Sequence, residues 1–105
     1  MINRIKFAWQ GRSSKWAEVR SEHLKLSPVC RACSSAKSLE VHHIKPFHLY
    51  PDLELVRSNL VTLCKSCHLV LGHLKDYDLE NPRVIEWCDM MNLARYDAKM
   101  IEEPS

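Results

Sequence analysis

The 105-residue sequence has little that would divide it into separate units. It contains only two glycines and five prolines, no low-complexity linker, and no internal repeat apart from two Cys-x-x-Cys pairs. With 46% hydrophobic and 27% charged residues, its composition is that of a folded chain and not of a disordered tail. We therefore expect residues 1–105 to form one small domain, whose modest core needs a staple such as a metal.

Long apolar runs are also missing. No stretch approaches the roughly 20 residues that a membrane-spanning helix needs. Residues 1–7 lack the apolar segment of a signal peptide. The sequence thus predicts a cytoplasmic protein with no membrane partner.

Four of the five cysteines form the two Cys-x-x-Cys pairs. In a reducing compartment this spacing indicates metal binding more than disulfides, because each turn brings two sulfurs to one point. Four thiolates complete a closed tetrahedral Zn²⁺ site, which leaves no position for catalysis. The predicted structural zinc ligands are Cys30, Cys33, Cys64 and Cys67. The fifth cysteine, Cys88, lies in an apolar helical pattern and is predicted to be a small core residue.

Charge is nearly balanced overall, at +2, but not along the chain. Residues 1–37 carry eight basic and two acidic side chains, whereas residues 76–105 carry three basic and eight acidic ones. The basic front either faces phosphates or is an ordinary solvated surface, and charge alone leaves both readings open. The candidate phosphate contacts are Lys15, Arg20, Arg31, Lys45 and Lys65.

Hydrophobic spacing predicts an α+β fold. Residues 1–12 are an N-terminal arm, and residues 13–27 hold a helix that starts near an N-cap at Ser13-Ser14. The core at 28–74 contains short strands at 39–44 and 59–63 and a helix from 65 to about 74. Residues 75–105 form a C-terminal helical segment after Asn81-Pro82. Its apolar stripe packs on the domain or, alternatively, forms a dimer seam; it comprises Val84, Trp87, Cys88, Met91, Ala94, Ala98 and Ile101.

The histidines stand in a fixed order relative to the cysteines. His42-His43 lies in Val41-His42-His43-Ile44-Lys45-Pro46, Asn59 opens Asn59-Leu60-Val61-Thr62-Leu63, and His68 follows Cys64-Lys65-Ser66-Cys67 directly. This order, over about residues 28–73, resembles the HNH endonuclease family in its small, four-cysteine zinc-containing branch of phage or bacterial type.

The resemblance implies a ββα-metal core with a structural zinc site, flanked by N- and C-terminal helices. It also implies a catalytic set comprising His43 as the general base, His42 and His68 as ligands of a divalent cation, and Asn59 as support. Asn59 and His73 are further candidate ligands, although His73 could instead cap the helix end. Because His42 stands where the family often has Asp, the cation could be Mg²⁺ or Mn²⁺ but also Ni²⁺ or Zn²⁺.

The function implied is hydrolysis of DNA phosphodiester bonds, with one strand nicked per active site. Partners in phage packaging or restriction fit this family, and both a monomer and a homodimer stay open. Two other classes compete: a non-catalytic zinc-stapled DNA-binding module and a zinc domain that binds other proteins. The first predicts DNA binding without nicking, and the second predicts no DNA affinity.

Overall fold

The structure is a computed structural model that describes residues 12–102, with side chains to residue 95. Most of the predicted arm, including Arg4 and Lys6 of the basic front, lies outside the described residues. No helix in the described part is long and apolar enough to cross a membrane. The fold is α+β, as predicted. Its elements are helix α1 (Trp16–Leu26), strand β1 (Leu39–His43), 3₁₀ turns at Pro51–Leu53 and Arg57–Asn59, strand β2 (Leu60–Cys64), helix α2 (Lys65–Cys67), a π-helix (His68–Gly72) and helix α3 (Val84–Glu102).

The two predicted strands form an antiparallel hairpin. Leu39 pairs with Cys64 at one end and His43 pairs with Leu60 at the other. Beyond the last pair, the Ile44 N–H donates to the Asn59 carbonyl at 2.8 Å, which closes the long loop between the strands. The hairpin thus holds the histidine pair on one strand beside the approach to the second cysteine pair on the other.

Helix α1 begins slightly later than predicted. The N-cap position is Lys15, and Ser13 instead accepts a hydrogen bond from the Lys15 N–H through Oγ at 3.1 Å. Trp16 and Val19 face inward and are partly buried, whereas Leu26 is 75% exposed. Leu26 is exposed because the helix ends there and the chain turns away at Ser27-Pro28.

The helix predicted from 65 to about 74 is present over residues 65–72, but most of it is a π-helix. A single α-helical turn, α2, passes directly into the π-helix, which ends at Gly72. Leu74 and Lys75 then adopt left-handed backbone conformations, with φ of 54° and 70°. The Lys75 N–H donates to the Leu69 carbonyl at 2.8 Å, and the chain reverses direction there and ends the helix.

The core lies between the hairpin, the π-helix and α3. Val61, Leu63 and Leu71 pack with Val84 and Cys88 of α3, and Cys88 is fully buried, as predicted. Trp87 was expected on the buried stripe, but it is 40% exposed because Val84, Cys88 and Met91 share the inward face. Ala94 is exposed as well. The side chains of Ala98 and Ile101 lie outside the described part.

Candidate metal centres and catalytic site

The four predicted zinc ligands meet at one point. Cys30 and Cys33 lie in the turn that follows α1, Cys64 ends β2, and Cys67 ends α2. All four Sγ atoms lie within 4.8 Å of one another, and the Cys33 and Cys64 sulfurs are 3.6 Å apart. A tetrahedral zinc with Zn–S bonds of about 2.3 Å separates its sulfurs by about 3.8 Å, so the cluster fits this ion.

The four thiols differ in how readily they ionise. Burial alone would raise the pKa of Cys30, but hydrogen bonds from the backbone amides of Cys64, Cys33 and Ala32 lower it to about 7. Burial raises the pKa of Cys33 and of Cys67. Zinc binding must therefore release protons from this cluster, since only thiolates are ligands.

A second cluster contains three histidines. His42 comes from β1, His68 begins the π-helix, and His73 follows the π-helix directly. Nε2 of His68 lies 3.0 Å from Nδ1 of His42 and 3.1 Å from Nε2 of His73. Imidazoles that share a metal at about 2.0–2.1 Å hold their nitrogens roughly 3.4 Å apart, so these three fit one cation. Of the candidate ligands, the structure thus brings His42, His68 and His73 together.

The π-helix explains how His73 reaches the cluster. In an α-helix, two residues five apart lie about 140° apart around the axis and cannot bind one ion. A π-helix closes its hydrogen bonds between residues five apart, which places His68 and His73 on one side. Gly72 leaves room for this packing: a Cβ there would lie 3.1 Å from Cε1 of His42 and 3.2 Å from Cδ2 of His68.

The ring nitrogens that point away from the centre of the three-histidine cluster face hydrogen-bond acceptors. His68 donates from Nδ1 to Oε1 of Glu40 at 2.8 Å, and His73 donates from Nδ1 to the Leu79 carbonyl at 2.9 Å. A carbonyl can only accept, so the proton of His73 is on Nδ1 and its Nε2 lone pair points into the cluster. The Glu80 carboxylate lies 3.4 Å from Nδ1 of His73 and 4.0 Å from Nε2 of His42.

Burial governs the charge state of His42. It lowers the pKa of His42 to about 3, with further lowering by the neighbouring charges of His68, His73 and His43. His42 therefore stays neutral at physiological pH, which is the form that binds metals. Burial also raises the pKa of Glu80.

His43 lies on the other side of β1 and makes different contacts. Its Nε2 donates to the Glu54 carbonyl at 2.9 Å, which leaves the Nδ1 lone pair free. Its ring packs on Trp16, with 4.5 Å between centroids. Burial lowers the pKa of His43, the hydrogen bond to Glu54 partly opposes this, and the Arg12 charge lowers it further. A neutral imidazole with one free lone pair is equipped to act as a base.

One cavity of about 420 Å³ joins the two sets of histidines. Its lining includes His42, His43, His68 and His73 together with Arg12. The Arg12 guanidinium lies 4.4 Å from the centroid of Phe47 and 5.5 Å from that of Trp16, and its Nη1 is 3.9 Å from Oε2 of the buried Glu54.

Sequence reasoning missed several residues around this cavity. Arg12 was visible only as one member of the basic front. Glu40 precedes His42 by two positions, so strand alternation could have placed both on one face. Nothing in the sequence pattern pointed to Glu54 or Glu80.

Asn59 contacts the loop and not the histidine cluster. Its Oδ1 accepts from the Lys45 N–H at 2.8 Å, and its Nδ2 donates to the carbonyls of Lys45 and Leu53 at 3.1 and 3.3 Å. These bonds use both the oxygen and the nitrogen of the Asn59 amide. Asn59 therefore lies against the loop that carries Glu54 and is not among the clustered candidate ligands.

The candidate phosphate contacts lie on the surface. Lys15, Arg20, Lys45 and Lys65 are exposed. Arg31 is exposed too, but it forms a bidentate pair with Asp89 at 3.0 and 3.3 Å. The described lining of the histidine cavity contains none of these five side chains.

Comparison with known proteins agrees with the geometry. Residues 29–73 match the family model described as HNH endonuclease. Searches among curated proteins and among solved structures each give no match. The matched segment begins beside the first cysteine pair, ends at His73, and includes the hairpin, the four cysteines and all three clustered histidines. Residues 29–73 of the chain are therefore similar to an HNH endonuclease domain.

Proposed function

We propose that this protein is a metal-dependent endonuclease that hydrolyses DNA phosphodiester bonds and nicks one strand per active site. The observation that supports this most directly is that a neutral, oriented imidazole and a three-histidine cluster line the same cavity. A general base can activate the attacking water, and a cation can stabilise the charge that develops on the phosphate.

His43 is the general base in this proposal. Its Nδ1 accepts a proton from water, and the resulting hydroxide attacks phosphorus in line with the leaving oxygen. The hydrogen bond from Nε2 to Glu54 fixes the ring and its tautomer. Asn59 is a positioning residue, because it ties the loop that carries the Glu54 carbonyl to the end of β1.

His42, His68 and His73 would hold the divalent cation. When bound, it would polarise a phosphate oxygen and stabilise the charge that develops on the leaving oxygen. Three imidazole nitrogens favour transition metals such as Mn²⁺, Ni²⁺ or Zn²⁺ over Mg²⁺, which prefers oxygen ligands. The four cysteines would hold a separate, structural zinc.

Arg12 would contact the scissile phosphate. It is a cationic side chain in the cavity, and the rings of Phe47 and Trp16 together with Glu54 restrict its position. A guanidinium can donate two parallel hydrogen bonds to a phosphate. Lys15, Arg20, Lys45 and Lys65 would supply weaker contacts to the DNA backbone, and Arg31 less, because Asp89 already pairs with it.

The test is a nicking assay on supercoiled plasmid with Mn²⁺, Ni²⁺, Zn²⁺ or Mg²⁺. We expect wild-type protein to convert supercoiled to open-circular DNA, and we expect His43→Ala to lose at least about 100-fold in rate, as removal of a general base does. His23→Ala is the matched control, because His23 lies outside the histidine cavity.

Failure of wild-type protein to nick with every metal, while it still binds DNA, would contradict the enzyme and favour the zinc-stapled binding module. Equal rates for wild type and His43→Ala would contradict the assignment of the base.

A further inference from the structure

We infer that Glu80 is a positioning residue of the three-histidine metal centre, although it lies beyond residues 29–73, which match the HNH endonuclease model. The inference rests on the metal site of the proposed function and assigns part of that site to a segment outside the family match. In this inference, the Glu80 carboxylate orients His42, lies beside the Nδ1–H that His73 donates to the Leu79 carbonyl, and offsets the charge of the cation.

The positions of the carboxylate oxygens carry the argument. Oε1 lies 3.4 Å from Nδ1 of His73, and Oε2 lies 4.0 Å from Nε2 of His42. Both of these nitrogens are on the outer edges of their rings, whereas Nδ1 of His42 and Nε2 of His73 face the cluster. Glu80 is therefore placed as an acceptor behind the ligands and not as a ligand.

Two buried atoms lack a partner at this point. Nε2 of His42 and Oε2 of Glu80 are both buried, and neither has a hydrogen bond in the described part of the protein. When Nδ1 of His42 binds a cation, Nε2 must keep its proton, and Oε2 of Glu80 is an acceptor facing it. Closing the 4.0 Å separation to a hydrogen bond takes a movement of about 1 Å.

Glu40 is the corresponding acceptor for His68: Nδ1 of His68 donates to Oε1 of Glu40 at 2.8 Å. Each of the three imidazoles thus has a carboxylate against its outer edge. Such partners fix ligand orientation, raise ligand basicity and favour a divalent cation. Two carboxylates also balance the two positive charges of the ion.

The segment that carries Glu80 is held in place independently. Asn81 is buried; its N–H donates to the Gly72 carbonyl at 3.1 Å, and its Nδ2 donates to the Leu71 carbonyl at 2.8 Å. These bonds attach the backbone of the segment to the π-helix, which keeps residue 80 beside the histidine cluster.

The test is a Ni²⁺ titration of the full, zinc-loaded chain by calorimetry, comparing wild type with Glu80→Gln. We expect the Ni²⁺ Kd to rise about 10-fold or more, the usual effect of losing such a partner. Glu86→Gln is the matched control, because Glu86 is an exposed acid on α3 whose described partner is Arg83; we expect its Kd to equal that of wild type. His68→Ala should abolish the titration and so assign it to the cluster.

Separate readouts distinguish positioning from a general structural role. In Glu80→Gln, zinc content and the melting temperature without Ni²⁺ should match wild type, while the increase in melting temperature on adding Ni²⁺ should shrink. Glu80→Asp should recover part of the affinity.

The inference is overturned if the Glu80→Gln Kd lies within about threefold of wild type, if Glu86→Gln weakens binding equally, or if His68→Ala leaves the titration unchanged. A wild-type protein whose Ni²⁺ affinity depends on Glu80 but which nicks no DNA would overturn the proposed function alone. Nicking by wild type, with no change of Kd in Glu80→Gln, would overturn this inference alone.

Discussion

His42 and His43 are neighbours in sequence but have different chemical surroundings. Alternation along β1 points His42 toward His68 and His73, and it points His43 toward Trp16 and the Glu54 carbonyl. The first imidazole thus has the environment of a ligand and the second that of a base. One strand supplies both because its two faces are buried against different elements.

The pH dependence of cleavage should reflect the environment of His43. Burial lowers its pKa below the ordinary value of about 6.5. A base works unprotonated, so its activity is present above the folded pKa and is lost as pH falls through it. We therefore expect the acid limb of kcat/KM, measured at saturating metal, to lie below about pH 6.5.

The profile should be measured with metal occupancy followed at each pH, since loss of the cation would also reduce the rate. An acid limb above pH 6.5 at full occupancy would show that His43 is not a base with a lowered pKa.

At the scale of elements, the π-helix brings His73 beside His68 and His42. Gly72→Ala would place a methyl group 3.1–3.2 Å from the rings of His42 and His68, a separation at which the rings must shift. We expect about 1–3 kcal/mol of destabilisation, as for other overpacked sites, together with weaker Ni²⁺ binding. Urea unfolding and calorimetry measure the two effects.

Ser66→Ala is the control for that substitution, because Ser66 is exposed on α2; its effect should stay within about 0.5 kcal/mol. If Gly72→Ala preserves both stability and Ni²⁺ affinity, the cluster does not depend on the packing described.

The regular elements could be predicted from the sequence, and the irregular ones could not. The alternation of apolar residues predicts the hairpin, and their helical spacing predicts α1. The spacing of the Cys-x-x-Cys pairs predicts that cysteines such as Cys30 and Cys64 are metal ligands. The π-helix has no periodic signature, so the sequence alone left His73 open between a metal ligand and a cap of the helix end. Glu80 and Arg12 lie outside the regular elements, so their positions at the site depend on tertiary packing.

At the scale of the whole molecule, the cysteine cluster joins parts of the chain that lie far apart in sequence. It links the turn after α1 to the end of β2 and to α2, while the core itself is small. We expect Cys64→Ser to lose bound zinc and cooperative folding, as monitored by circular dichroism and metal analysis. His43→Ala should keep both, which separates loss of the fold from loss of chemistry.

A Cys64→Ser protein with native circular dichroism and an unchanged melting temperature would show that the cluster is not structural. Removal of zinc from wild-type protein by a chelator should reproduce the effect of the substitution, and return of zinc should reverse it.

The hydrogen bond from His73 to the Leu79 carbonyl has a consequence for any transplant of the site. The segment that matches the family model ends at residue 73, whereas the backbone that orients the His73 ring lies six residues further on. A graft of residues 29–73 into another protein would carry the three clustered histidines but leave behind the carbonyl that orients one of them. A graft that keeps this contact must extend into the connection to α3.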